Sequence, residues 1–216
     1  MTTRHWSRVL TGALLALAAT RAQSQELLDQ IAARVESEVI LLSEVRTLSR
    51  YQILADGKAE SDAAILDRLI DQWIVRNEAD TAHFPHPADA EITYGVEHLQ
   101  ASFASREEYQ ARRNQSGLSD KEIQRMVAEQ LYLSNYLDSR FRPAVQVDAK
   151  QVEDFYQQAV VPRAKARNQA PPPLDGSREY IQEALVQRGI SEQAEVWLKE
   201  SRARLHVEKF LKESAK

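Results

Sequence analysis

Cysteine is absent from this 216-residue chain, which removes disulfides, thiolate metal sites, cysteine nucleophiles and lipoprotein anchoring from consideration. Glycine is scarce, and six widely scattered residues cannot build a phosphate-cradling loop. The G-x-S-x-G and H-E-x-x-H patterns are also missing, so no catalytic set is legible and the chain is expected not to be an enzyme. Beyond the first two dozen residues no long apolar run occurs. What is present, 43% hydrophobic and 28% charged residues, is ordinary globular composition, stabilised by packing and sufficient for one domain or two small lobes.

Residues 1–24 differ from the rest. Arg4, His5 and Arg8 precede an apolar run from Val9 to Ala19, and small and polar residues continue to Ser24, the pattern of a secretory signal peptide. As a helix that run would span about 16 Å, about half of a bilayer's hydrocarbon core, which argues against a permanent transmembrane segment. Cleavage after Ala22 or after Ser24 fits the small residues there, and both positions stay open. Losing residues 1–24 removes Arg4, Arg8 and Arg21 and no carboxylate, taking the net charge from −4 to −7. The expected product is acidic, exported and without stable membrane insertion, and its interleaved charges make nucleic acid a poor partner.

Further along, Ile31, Ala33 and Val35 alternate with Ala32, Arg34 and Glu36, and the apolar run Val39 to Leu42 follows; this predicts a hairpin turning at Glu36-Ser37-Glu38. Ser43 is expected to cap a helix reaching about Leu54 and closed by Asp56-Gly57. From Ser61 to about Ala82, Ile65, Leu66, Leu69, Ile70, Trp73 and Ile74 recur at helical spacing. The prolines of His83-Phe84-Pro85-His86-Pro87 break that helix. Further helices are predicted over residues 88–102 and from the Ser105 and Glu108 start signal to Asn114, with Gly117 closing the turn. Ser119 and Glu122 then form a capping box, with Leu118 and Ile123 at hydrophobic-staple positions, and open a central helix to about Phe141. Asp148 with Gln151 starts another helix, to about Lys165.

Residues 163–176, RAKARNQAPPPLDG, are basic and then proline-rich, the composition of a stiff exposed linker. Helices follow over residues 177–188 and 191–203, interrupted or bent at Gly189. Leu205 and Val207 then alternate with Arg204, His206 and Glu208, which predicts a strand that pairs with the segment 31–42 and joins the two ends of the fold. The expected fold class is mainly α, with a small hairpin near the N-terminus joined by a C-terminal strand.

Few side chains stand out as functional. His83 and His86 lie three apart, but the prolines between and after them favour an exposed loop, and no third metal ligand suggests itself; no metal or cofactor is expected. Glu107-Glu108 and similar acidic pairs read as solvated helix faces. Trp73 and Trp197 sit on apolar stripes and read as structural, and Pro171-Pro172-Pro173 reads as part of the linker rather than a polyproline ligand. Tyr94, Phe103, Tyr109, Met126, Tyr132, Tyr136, Phe155 and Tyr156 fall on helices that also carry core residues. Core packing is the default for each, and the remainder are candidates for lining a peptide-binding groove, where aromatics and methionine adapt to varied apolar partners.

The order of these segments resembles that of the SurA and parvulin-type periplasmic folding factors. IAARVESEVILLSEV resembles the family's opening strand pair and first helix, and ILDRLIDQWIVRNEAD its second helix. SREEYQARRNQSGLSDKEIQRMVAEQL is similar to the short helix, glycine turn and long central helix, and VDAKQVEDFYQQ to the helix after it. REYIQEALVQRGISEQAEVWLKESRARLHVEKF resembles the terminal helix and strand that fold back on the amino-terminal lobe. Where the family carries parvulin prolyl-isomerase domains, only the linker at 163–176 stands here, and no parvulin catalytic residue has a matching position. The resemblance divides the chain into a signal peptide (1–24), a SurA N-like helical domain (25–162), a proline-rich linker in place of the parvulin domain (163–176) and a C-terminal helix and strand packing back on the core (177–216). It implies an ATP-independent periplasmic chaperone core that holds unfolded polypeptide clients, outer-membrane β-barrel precursors among them, as a monomer or a swapped homodimer. The alternative is a non-catalytic interaction subunit dedicated to one folded periplasmic partner.

Overall fold

The computed structural model describes residues 29–211. The candidate signal segment, its cleavage positions and Trp6 lie outside them. The chain is mostly helical with one small, unclosed sheet, as the sequence pattern predicts. Strand β1 (Ile31–Val35) lies between β2 (Glu38–Leu41) and β3 (Val207–Lys209), antiparallel to both. The terminal strand therefore does join the two ends of the chain, but it begins later than the alternation predicted. Leu205 is spent on packing against the core beside Val207.

The hairpin turn is tighter than expected. Val35 pairs with Glu38, so only Glu36 and Ser37 turn, and Glu36 takes φ 53°. That left-handed conformation is unusual for a residue with a side chain, and local bonds hold it. The Glu36 N–H donates to the His206 carbonyl at 2.9 Å, and its carboxylate accepts the His206 N–H at 2.7 Å. The turn thus also receives the incoming β3.

Helix α1 (Leu42–Asp56) starts one residue before the Ser43 cap expected for it. The Leu42 N–H bonds the Gln30 carbonyl at 2.7 Å, and the Ser43 N–H bonds the Asp29 carboxylate at 3.2 Å. With its first N–H groups satisfied from the strand side, the helix needs no serine cap. α2 (Asp62–Thr81) begins one residue after the predicted Ser61 start, with Ser61 as its cap, and α3 (Asp89–Ala101) follows the proline break. α4 (Arg106–Ser116) outruns the Asn114 end by half a turn, until Gly117 at φ 65° closes it. The Ser119–Glu122 box opens α5 (Asp120–Phe141), with Leu118 and Ile123 buried together at its start. α5 packs against α1, α2 and α3.

After a single 3-10 turn (Arg142–Ala144), a capping box of Asp148 and Gln151 opens α6 (Ala149–Phe155). The helical run continues through a π turn (Tyr156–Val160) into α7 (Val161–Ala166). Pro162 offers no N–H and would crowd the carbonyl four residues back, and the widened turn just before it relieves that conflict. The segment expected as a linker over 163–176 is consequently helical at both ends, and only residues 167–173 are free of helix.

α8 (Leu174–Arg202) runs 29 residues without a break. Gly189 does not interrupt it, contrary to expectation. A Cβ there would lie 2.7 Å from Cγ1 of Val145, so the glycine lets the 142–147 connection press onto the helix. Among the described residues no helix is long and apolar enough to cross a membrane.

The largest fully buried side chains, among them Leu54, Ile65, Leu66, Ile70 and Ile123, lie under the sheet and between α1, α2 and α5. Each such burial contributes roughly 1.5–3 kcal/mol. Gly189 yields a sharper test. Glycine-to-alanine in a helix interior ordinarily stabilises by about 1 kcal/mol. Gly189→Ala is expected to destabilise in the parent chain and to stabilise by up to about 1 kcal/mol in a Val145→Ala background, where the collision is gone. Urea denaturation of the four proteins in that cycle measures it; the same sign in both backgrounds would remove the close approach as the reason for the glycine.

Candidate functional site

A cleft of about 850 Å³ lies between α8 and the segment running from the end of α5 through α6. Helical spacing builds one wall: Leu185, Gly189, Glu192, Val196 and Glu200 recur along one stripe of α8. The facing wall carries Val145, Val147, Gln151, Phe155 and Gln158. Phe141 and Trp197 lie between, their ring centroids 5.9 Å apart at 57°. Half-buried aromatic and branched side chains thus sit beneath a rim of amides and carboxylates. Such a lining grips apolar side chains while leaving a backbone solvated; it contains no paired nucleophile and base.

Two arginines outside the lining brace the elements that form it. Arg140 places its guanidinium carbon 4.8 Å from the Trp197 centroid and 5.6 Å from that of Phe141, and also donates to the Tyr136 hydroxyl at 2.8 Å. These are cation–π distances, and they hold Trp197 in place. Arg142 grips two carboxylates in bidentate fashion, Asp138 at 2.8 Å through both bonds and Glu183 at 2.7 and 3.0 Å. The Gln187 amide donates to the same two carboxylates at 3.1 and 2.9 Å. This network ties the end of α5 to α8. Its hydrogen bonds to Arg142, then to Gln187, hold the Glu183 carboxyl down at about 2. Those from Arg142 also depress Asp138, and the two carboxylates in turn push Arg142 further up.

The eight side chains singled out in the sequence do not converge on this cleft. Phe155 lines it. Tyr109, Tyr132, Tyr136 and Tyr156 are buried in three separate core clusters. Tyr156 donates its hydroxyl to the Pro172 carbonyl at 2.7 Å and so pins the proline segment to the π turn after α6. Tyr132 donates to Asp80 at 2.6 Å and stacks on His86 with centroids 4.2 Å apart; burial, helped by that carboxylate, pushes its phenol up to about 12. Met126 is half-buried beside α1 and α2, Phe103 lies in a shallow depression next to Tyr109, and Tyr94 is 69% exposed on α3. His83 and His86 occupy the interhelical loop as expected, and no cluster of three or more His, Asp or Glu side chains suited to a metal occurs among the described residues.

Sequence reasoning missed Phe141 and Val196 and assigned Trp197 to packing alone. Val196, a branched apolar residue next to Trp197, is 60% exposed in the fold, which its sequence position alone does not show.

The Arg142 network gives a pH expectation. A carboxylate held below its ordinary value contributes stability that is complete above that ordinary value and lost as pH falls through the depressed one. For Glu183 the window runs from about 4.5 down to about 2. Hydrogen exchange in the first half of α8, corrected for intrinsic rates, is expected to stay flat from neutral pH to about 4.5 and to accelerate below it. In Glu183→Gln it should already be faster at neutral pH; equal protection in parent and variant would show that the network does not hold α8. No protein-family model matches the chain, and no curated protein matches it either.

Proposed function

We propose that this protein is an ATP-independent periplasmic chaperone, a holdase for unfolded exported polypeptides such as outer-membrane β-barrel precursors, built on a SurA-like core without the parvulin domain. The observation that carries the reading is the cleft: an open, aromatic-floored groove with an amide-rich rim and no catalytic constellation. A groove of that composition suits transient capture of apolar segments of many sequences. The export signal in residues 1–24 and the collinear SurA-like segments support the compartment and the client class. The sheet assembled from both ends of the chain agrees with the folding back that the resemblance implies. No prolyl-isomerase activity is proposed.

A second reading, a subunit dedicated to one folded partner, is favoured by a different surface. Ile31 and Val39 on the small sheet and Phe210 just past β3 are 38%, 45% and 45% exposed. A native partner could cover them.

The two readings separate in a light-scattering experiment in which an unfolded β-barrel protein is diluted from urea into the purified exported protein. Suppression of aggregation at roughly equimolar ratio is expected, and Val196→Asp, which alters an exposed cleft residue without touching the core, should require several-fold more protein, as loss of one interface anchor does. Unchanged aggregation across a wide excess would end the general-chaperone reading and leave the dedicated-partner one.

A further inference from the structure

The cleft's charge distribution narrows its occupant. Four ionisable side chains line it: Asp154, Glu192, Glu200 and Arg188. Asp154 is tied to Lys150, and Glu192 to Arg188 at 2.8 Å. Glu200 is lining too, yet takes part in no ion pair among the described residues. It stands one turn of α8 beyond Val196, on the same stripe. Among the described residues, the cleft carboxylate left without a cation therefore flanks Val196, a largely exposed apolar side chain, and Trp197.

Dimensions select the form of the ligand. The lining stretch of α8 from Leu185 to Glu200 covers about 22 Å of helix. An extended polypeptide of about seven residues spans that length, and a side chain on every second residue points to one wall. The side-chain amides of Gln151, Gln158 and Gln193 in the lining can bond the backbone groups that an extended segment, unlike a helix, leaves unpaired.

We infer that the cleft binds an extended peptide segment which places a Lys or Arg beside Glu200 and apolar side chains, at alternate positions, against Val196 and Trp197. This inference rests on the chaperone reading and specifies its clients. Acidic segments are disfavoured, because three carboxylates against one guanidinium leave the lining negative. The preference is modest in size, since Glu200 is exposed and a solvated ion pair contributes little. Apolar contact holds the segment, and the cation chooses among segments and sets their direction.

The test is fluorescence anisotropy with three labelled, terminally blocked seven-residue peptides of alternating leucine and serine that differ only at one end, in Lys, Gln or Glu. The Lys peptide is expected to bind roughly three- to fivefold tighter than the Gln peptide, and the Glu peptide correspondingly more weakly. In about 1 M salt, where the screening length is about 3 Å, the three should converge. Glu200→Gln should abolish the preference while keeping the parent affinity for the Gln peptide. Glu179→Gln, a change at an exposed carboxylate of α8 outside the cleft, should leave the preference intact and so exclude a general effect of the acidic chain. Equal binding of the three peptides by the parent, or a preference that survives in Glu200→Gln, overturns the inference. If no peptide binds but aggregation is still suppressed, the cleft is not the client site and the inference falls while the holdase reading stands. If suppression is absent as well, both fall.

Discussion

The pairing of β3 with β1 is the contact on which the rest of the arrangement depends. An isolated two-stranded hairpin is marginal in water, so β1 and β2 need a further strand or a helix layer to persist. The third strand arrives more than 170 residues after the first, with Glu208 opposite Arg34. So long a separation makes the closure costly in chain entropy and slows its formation. Side chains then fasten it. Arg202, at the end of α8, donates to both the carboxylate and the carbonyl of Asp67 at 2.9 Å, and Lys209 reaches the same carboxylate at 2.6 Å. The Asp71 carboxyl alongside is pushed up, by burial first, with Asp67 adding to it and Arg202 and Lys209 opposing. Two acids of α2 thus receive two cations of the returning arm, next to Leu205 and Val207 in the core.

That return dictates where the cleft opens. α8 changes its packing partners along its length: Ile181, near its start, is buried with Val152 and Tyr156 of the opposing helical run, whereas Ile190 and Ala194 are buried further along. α8 must leave α6 to travel beside α5 and α2 toward the sheet. The wedge between the diverging elements is the cleft, and Phe141, Phe155 and Trp197 stay half-buried along it. Its width is set at two points. Gly189 admits Val145 at one, and Arg142 bridges Asp138 and Glu183 at the other.

Much of this was legible in the sequence, and the failures have physical causes. Caps made by side chains on their own helix were readable, as at Ser105, Ser119 and Asp148, because the signal is local. The start of α1 was not, since Asp29 and Gln30 satisfy its N–H groups from the strand side. The proline-rich segment was recognised, but its ends were misplaced: proline composition marks where a helix is disfavoured, whereas Arg163 to Ala166 stay helical behind a π turn that only the three-dimensional run reveals. Gly189 carried the wrong meaning, because the same residue type serves as a break or as a close approach, and only a neighbour distant in sequence decides. The candidate aromatics suffered likewise. Periodicity shows that Tyr132 and Tyr136 face something, and cannot distinguish another helix from a groove.

The proposed holdase must bind without ATP and still let go, and the cleft's make-up bears on that balance. A few apolar contacts at about 25 cal/mol per Å² yield only a few kcal/mol, while association and the ordering of a flexible segment cost about as much or more. A single segment would then be held weakly and exchange readily, and useful retention of a long client would need several of its segments to visit the cleft in turn or to meet further surfaces such as the exposed sheet residues. Rigidity matters more than area under those conditions. With Trp197 already braced by Arg140 and α8 anchored by Arg142, the groove loses little entropy when a segment enters, so most of the small apolar gain is kept as affinity. The same bracing keeps Trp197 and Phe141 from collapsing onto Phe155, which would bury the apolar floor within the protein itself and leave no surface for a client to use.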